Sequence, residues 1–492
     1  MTLYFHDAAQ SRAIDRLAIE QKGIPGLLLM KRAGLFAFQT LQNQYPNAQR
    51  LLIVCGTGNN GGDGFVVAQL AVMAGLKVEL LLNGQADALK NDALQAYREL
   101  ESLGVKPASF QTDAFKTCDV IIDALFGTGL DRPIQNQAAE WIEYINASGK
   151  PVIALDIPSG LSADKGTVLG CAVKANHTCT FITRKLGLYQ FNGADYSGKV
   201  HYSPLFLEQS ILETQTPVAA NHPLKYWLNQ LPNRPKTSHK GSAGSVCLIG
   251  GDHHMMGAIQ MAGLASLKVG AGLVKVISHE EHGIALTQAL PELMCYAEPA
   301  FEEQTQNAKA IAVGPGLGLN DWGKNLFEKA TRLPQLKIID ADALKLLAAN
   351  PKHQDNWVLT PHPGEAGEML GCTTDEIQQD RIEAVKAIQK KYGGVVVLKG
   401  NGSLIFDGEN MEMCLAGNPG MAVGGMGDVL TGAIGGLIAQ GLPLFEAACL
   451  GVNLHAHAGD ILAQQKGQLG LLPTELASTI SQLLTYADKQ SG

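Results

Sequence analysis

Short, continuous apolar runs alternate along the chain with longer stretches whose apolar positions recur at helical spacing. In the first part, residues 51–55, 77–82, 120–126 and 152–157 predict strands, and residues 65–74, 88–103 and 138–147 predict the helices between them. The strands are apolar throughout instead of alternating, the pattern of a parallel sheet buried on both faces. Residues 8–44 carry apolar positions at helical spacing and predict helices that pack on this sheet. The pattern loosens over 203–244, where Pro204, Pro217, Pro223, Pro232 and Pro235 fall, and a domain junction is placed near residue 215. Alternation then resumes with strands at 245–250, 273–278, 310–313, 337–339, 357–359 and 395–399, a helix at 258–269 and a glycine-interrupted helix at 429–439. Two α/β sandwich domains, 1–215 and 216–492, are expected. No short repeat or low-complexity tract interrupts them.

Length agrees, since 492 residues exceed what one core usually supports. With 46% hydrophobic and 17% charged residues and a net charge of -8, the chain lacks the basic surplus that nucleic-acid binding needs. Nine cysteines without a CxxC pair read as reduced, mostly buried thiols. The N-terminal residues lack the order of a signal peptide and no apolar run reaches membrane-spanning length, so a soluble cytoplasmic protein is expected. His253-His254 and His455-x-His457 lack metal-motif spacing and read as structural.

Chemistry concentrates in two glycine-rich segments. Residues 417–432, GNPGMAVGGMGDVLTG, set one carboxylate, Asp428, among glycines directly before an apolar helical run. Gly424, Gly425 and Gly427 let backbone N–H groups approach a phosphate, and the helix points its positive end at the same place. Asp428 is then the base of a phosphoryl-transfer site; in the alternative it only caps the helix. GTGNNGGDG at 56–64 follows the first strand and opens a helix, the context of a phosphate cradle. Gly56, Gly58 and Gly61 satisfy GxGxxG, yet the next strand ends at Leu82-Asn83 without the acidic residue that would hold a ribose diol. Two further strands end in carboxylates, Asp123 and Asp156. Ligands of an open parallel sheet sit at strand C-termini, so Asn60, Asp123, Asp156 and Ser159 are expected to converge at one crevice. The alternative has each of them capping a helix or turn.

GNNGGDG, DALFGTGL and DIPSGL resemble the epimerase domain of the bifunctional NAD(P)H-hydrate repair enzymes, across about residues 1–210. The resemblance implies a Rossmann-like domain in which Asn60, Asp123 and Ser159 hold K⁺, a weakly hydrated cation suited to oxygen ligands. It also implies that Asn59, Asn60, Gly61, Gly62 and Asp63, with Gly127, Thr128, Gly129, Leu130, Asp131, Arg132 and Pro133, contact the damaged dinucleotide. Asp156 would stand at its nicotinamide ring as the acid/base residue. The second half is similar to the ADP-dependent NAD(P)H-hydrate dehydratases of the ribokinase-like group. HKGSAG, MGA, GPGLG, DADAL, TPHPGE, KGNGS and the 417–432 segment carry that resemblance in order across about residues 225–490.

The second resemblance implies that Ala258, Gly316, Gly318 and His362 line a dinucleotide pocket. Lys399, Gly400, Asn401, Gly402 and Ser403 would hold the adenine nucleotide, Gly427 would bind its phosphate through a backbone amide, and Asp428 would act on the substrate. The implied activity is interconversion of the R and S hydrates of NADH and NADPH, then dehydration of the S form at the expense of ADP, giving AMP and phosphate. Mg²⁺ is expected on the nucleotide phosphates. Phosphorylation makes chemical sense, because phosphate leaves with a second pKa of ~6 whereas hydroxide leaves against ~15.7. Met426 and Val423 depart from the hydroxyl residues usual in the anion loop, and His362 has an alternative role in stabilising its turn. The runner-up reading is a ribokinase-like small-molecule kinase with a non-catalytic nucleotide-binding first domain. Apolar, glycine-rich helices in the second domain suggest a homo-oligomer.

Overall fold

A computed structural model describes residues 1–488. The chain divides after Ala219 into one unit of Leu3–Ala219 and a second that runs from Ala220 onward and includes Met1 and Thr2. In the first unit, six parallel strands lie in the spatial order Lys77–Leu82, Arg50–Cys55, Val120–Ala124, Val152–Leu155, His177–Phe181 and Lys199–Ser203. Burial on both faces explains their unbroken apolar sequence. Ile53 and Cys55 pack with Phe38, Phe65 and Ile122 on one side, while Leu52 and Val54 pack with Ile121, Trp141 and Ile142 on the other. The strand order reverses at Arg50–Cys55, whose neighbours are the next strand in sequence on one edge and Val120–Ala124 on the other. Connections leave in opposite directions there, which opens a crevice at the strand C-termini.

Two expectations for this unit are adjusted. The segment 8–44 is two helices, Ala8–Arg16 and Gly26–Gln44, the first extended by a π turn at Leu17–Gln21. The helix expected from residue 65 begins at Asn59, so Asn59 to Gly64 form its first turns and not a loop. Glycine's low helix propensity concealed this start; close packing requires it, because a Cβ on Gly61 would run into the Gly56 carbonyl.

The second unit carries seven parallel strands in the order Leu293–Tyr296, Leu273–Ile277, Ser245–Ile249, Ala310–Val313, Leu336–Ile339, Trp357–Leu359 and Val395–Leu398. An antiparallel hairpin, Ser403–Phe406 with Met411–Cys414, extends the last of them. The order reverses between Ser245–Ile249 and Ala310–Val313. Helix Met426–Ala439 is buried on nearly every side. Its glycines serve packing within the unit: a Cβ on Gly432 would enter the backbone of Ala262, and Ser266 Oγ donates to the Gly432 carbonyl at 2.8 Å. The glycines of this helix are therefore covered inside the chain. Among the described residues, no helix is long and apolar enough to cross a membrane.

Candidate functional site

In the first unit, Asp123, Asp156 and Ser159 lie at the ends of two neighbouring strands, and Asn60 is in the first turn of the helix after Arg50–Cys55. Asp123 and Ser159 are fully buried. Ser159 Oγ donates to Asp123 Oδ1 at 2.6 Å, and the N–H groups of Ser159 and Leu125 donate to the same carboxylate at 2.8 and 3.2 Å. Burial nevertheless outweighs these donors and raises the Asp123 carboxyl to about 6. The Asn60 side chain is buried with neither its oxygen nor its nitrogen hydrogen-bonded. Unsatisfied buried amides are costly and rare, so this one fits a site whose ligand completes it. Gly127 joins Asn60 to Asp156: a Cβ there would stand 3.2 Å from Asp156 Oδ2 and 3.4 Å from the Asn60 side chain.

Asp156 adopts a left-handed backbone, φ 62°, which a non-glycine residue holds at some cost and which recurs at functional positions. Lys185 is the residue the sequence reading missed. Its side chain is 2% exposed, and its ammonium lies 2.5 Å from Asp156 Oδ1 and 2.6 Å from the Phe181 carbonyl. Asp63 and Asp15 share the electrostatic neighbourhood. Burial and then the Asp156 charge hold Asp63 well above the usual carboxylate range, and burial likewise raises Asp15. Asn59 and the stretch Gly129, Asp131, Arg132 and Pro133 are exposed at the rim, with Thr128 and Leu130 half-buried. The Thr128 carbonyl accepts from Arg12 Nη1 at 3.0 Å. Gly61 and Gly62 are buried at the helix start.

In the second unit, Asp340, Thr360 and Lys399 follow three adjacent strands, and helix Met426–Ala439 aims its N-terminus at them. Asp340 accepts from Thr360 Oγ1 at 2.8 Å, Thr431 Oγ1 at 2.6 Å and Lys399 Nζ at 3.1 Å. Lys399 also lies 3.7 Å from Glu365. Although burial opposes its charge, the carboxylates of Asp340, Glu365 and Asp428 keep the Lys399 ammonium above its ordinary value. A Cβ on Gly427 would be 3.4 Å from Lys399 Nζ, so the expected phosphate amide and this cation adjoin. Asp428 is raised to about 7, first by burial and then by Asp340, with Lys399 acting against both. A carboxylate divided between its two forms near neutrality is suited to accepting a proton.

Other expected residues fall as follows. Gly400, Asn401, Gly402 and Ser403 form a turn beside Lys399, closed by Ser403 Oγ donating to the Gly400 carbonyl at 2.9 Å. His362 is the N-cap of helix Pro363–Leu370, accepting from the N–H groups of Gly364 and Glu365, and its ring is 56% exposed. Gly316 lies beside Ala258, whose Cβ is 3.2 Å from where a Gly316 Cβ would be. The Gly318 N–H donates to Asp342 at 3.1 Å, and Asp342 contributes to the field at Asp428. Met426, the departure from the family pattern, is buried with the hydrophobic core, so that side chain serves packing. Its carbonyl accepts from His455 Nε2 at 2.9 Å; burial lowers His455 to about 4, which keeps the ring neutral. Asp340, Asp342, Glu365 and His455 escaped sequence reasoning as site residues, although Asp340, Asp342 and Glu365 stand inside the quoted motifs.

Similarity to known proteins joins the two sites. Residues 26–187 match the family described as YjeF-related protein N-terminus, and residues 246–482 match NAD(P)H-hydrate dehydratase. The bifunctional NAD(P)H-hydrate repair enzyme Nnr of Coxiella burnetii is 44% identical over 97% of this chain and 98% of its own length. The chain belongs to the bifunctional NAD(P)H-hydrate repair enzyme family. The Escherichia coli member of this family is 41% identical, covering 96% of this chain and 92% of its own. A ribokinase-like superfamily protein from Enterococcus faecalis, 30% identical with a TM-score of 0.51, covers 54% of this chain and 95% of its own.

Proposed function

We propose that the two sites perform the two reactions of this family in sequence, with the residues named above in defined roles. In the first unit Asp156 exchanges protons with the hydrated nicotinamide ring, and Lys185 holds its carboxylate in place. Asn59 to Asp63 and Gly127 to Pro133 bind the dinucleotide. Asn60, Asp123 and Ser159 would hold K⁺; the unpartnered Asn60 amide and the buried Asp123 charge both fit a weakly hydrated cation, which would supply charge balance beside the substrate.

In the second unit the hydrate lies against Ala258, Gly316, Gly318 and His362, and the nucleotide against Lys399 to Ser403. Asp428 takes the proton of the ring hydroxyl as its oxygen attacks the β-phosphorus of ADP, and AMP leaves with the bridging oxygen. The amide of Gly427 and the helix N-terminus bear the charge of the transferring group, and Lys399 adds its own. Phosphate then departs with the C–O bonding electrons, the ring loses a proton, and the reduced nicotinamide is restored. Asp340 is already engaged by two hydroxyls and Lys399, so Mg²⁺ is assigned to the nucleotide phosphates. The carrying observation is the placement of Asp428 in the first turn of helix Met426–Ala439, with Lys399 beside its neighbour Gly427, where burial and Asp340 raise the carboxyl to about 7.

The test supplies both hydrate epimers with ADP and Mg²⁺, in K⁺ or Na⁺, and follows reduced nicotinamide, AMP and phosphate. Wild-type protein in K⁺ consumes both epimers. Asp156→Asn, or Na⁺ in place of K⁺, leaves the R epimer behind, while Asp428→Asn reduces dehydration by about 10²–10⁴-fold with epimerisation intact. A stable phosphorylated product would instead favour the kinase reading, and unchanged turnover in folded Asp428→Asn would remove the proposed base.

A further inference from the structure

A third constellation lies at the C-terminal ends of the adjacent strands Ser245–Ile249 and Leu273–Ile277. Asp252 follows strand Ser245–Ile249 and His279 follows strand Leu273–Ile277. Among the described residues, Asp252, His253 and His279 are the one group that brings three ligand atoms of metal-binding type within 4.8 Å of one another. His279 Nε2 and Asp252 Oδ1 are 2.8 Å apart. The surroundings are those of an oriented ligand set. Asp252, 9% exposed, receives Asn320 Nδ2 on Oδ2 at 2.8 Å and the His253 N–H on Oδ1 at 2.8 Å. His253 Nδ1 faces Glu281 Oε1 at 2.6 Å, the carboxylate–histidine pairing that fixes a tautomer and leaves Nε2 as a lone-pair donor. The His279 ring is stacked between His253 and Trp322, with centroids 4.1 and 4.2 Å away, so its plane is set by packing.

We propose that Asp252, His253 and His279 bind a divalent cation of the zinc or nickel class, with Glu281 and Asn320 as supporting hydrogen-bond partners. Two imidazoles and a carboxylate suit borderline metals and disfavour Mg²⁺, which demands oxygen ligands. A tetrahedral shell at ~2.1 Å sets ligand atoms roughly 3.4 Å apart. The set must therefore tighten, and His253, 55% exposed, is the member with room to move, giving up its stacking on His279 as it does so. A surface opening of about 450 Å³ lined by His253, His279, Glu280 and Glu281 gives entry. Three protein ligands leave a coordination position open. Gly318 packs directly on Oδ2 of the Asp252 carboxylate, so the cation, held on the Oδ1 side, would stand close to residues assigned above to the dinucleotide pocket. The binding claim is independent of that assignment.

Metal-free full-length protein is titrated with Zn²⁺ in excess Mg²⁺ by calorimetry, and with Co²⁺ by visible absorption. One equivalent binds with a Kd at or below ~10 μM, and Co²⁺ gives the intense d–d bands of a tetrahedral site. His279→Ala abolishes both signals. His253→Gln, at an exposed position that leaves the core untouched, weakens Zn²⁺ binding at least about tenfold, and Glu281→Gln weakens it by about 10–100-fold. Absence of stoichiometric binding would overturn the proposal. So would affinity unchanged in folded His253→Gln, which would place the metal elsewhere.

Discussion

Single residues here are defined less by their identity than by what surrounds them. Asp428 is an ordinary aspartate in sequence, yet burial and the Asp340 charge raise it to about 7. As a base it works when ionised, so dehydratase kcat/KM should rise through about pH 7 in a pH–rate profile; a flat profile between pH 6 and 8 would contradict the role. Folding responds with the opposite sign. The unfolded aspartate ionises near ~3.9, so between there and about 7 the folded protein binds the extra proton and this group's contribution to stability falls as pH rises. Asp428→Asn should accordingly melt a few degrees higher than wild type at pH 8 while losing activity. Lys185 belongs to the same scale. Replacing it with Met removes the partner of Asp156, and epimerase kcat should fall by about 10²-fold with KM little changed. Lys185→Arg should recover part of the loss; failure of Arg to do better than Met would reduce Lys185 to a packing role.

Among the elements, helix Met426–Ala439 ties chemistry to packing. Its first turn carries Gly427 and Asp428, while Val429, Ala433, Ile434 and Leu437 lie fully inside the core. Gly432 permits the approach to helix Met256–Lys268. Gly432→Ala should destabilise the second unit by about 1–3 kcal/mol in urea unfolding, because the added methyl has no room without moving a helix. Gly283→Ala, a helical position with open space around it, should change stability by no more than about 1 kcal/mol, and in the stabilising direction. Equal effects at the two positions would show that Gly432 is a matter of helix propensity alone. The position of this helix was legible from its apolar run, but its start was read three residues late. Gly425 and Gly427 looked like loop; helix packing and the His455 contact at the Met426 carbonyl hold them at the helix start.

For the whole molecule, the paired activities follow from two sheets that each reverse strand order beside their ligand-bearing loops. Most parallel strands of both units were legible because residues buried on two faces leave continuous apolar runs. The strands His177–Phe181 and Lys199–Ser203 were not read, since their polar residues break such a run, and neither were the four-residue strands Leu293–Tyr296, Ser403–Phe406 and Met411–Cys414. Site motifs that follow strands directly, such as Asp123, Asp156 and Lys399, were visible as strand ends. The sequence by itself determined the α/β alternation, the glycine-rich segments that precede helices and the local order of carboxylates behind strands, because these depend on neighbours in the chain. Only the tertiary structure decided that Lys185 meets Asp156 across 29 residues and that Lys399 meets Asp340 across 59. It also left Asn60 buried without a partner and lifted Asp428 toward neutrality, because desolvation and charge pairing depend on distances in space that no spacing along the chain encodes.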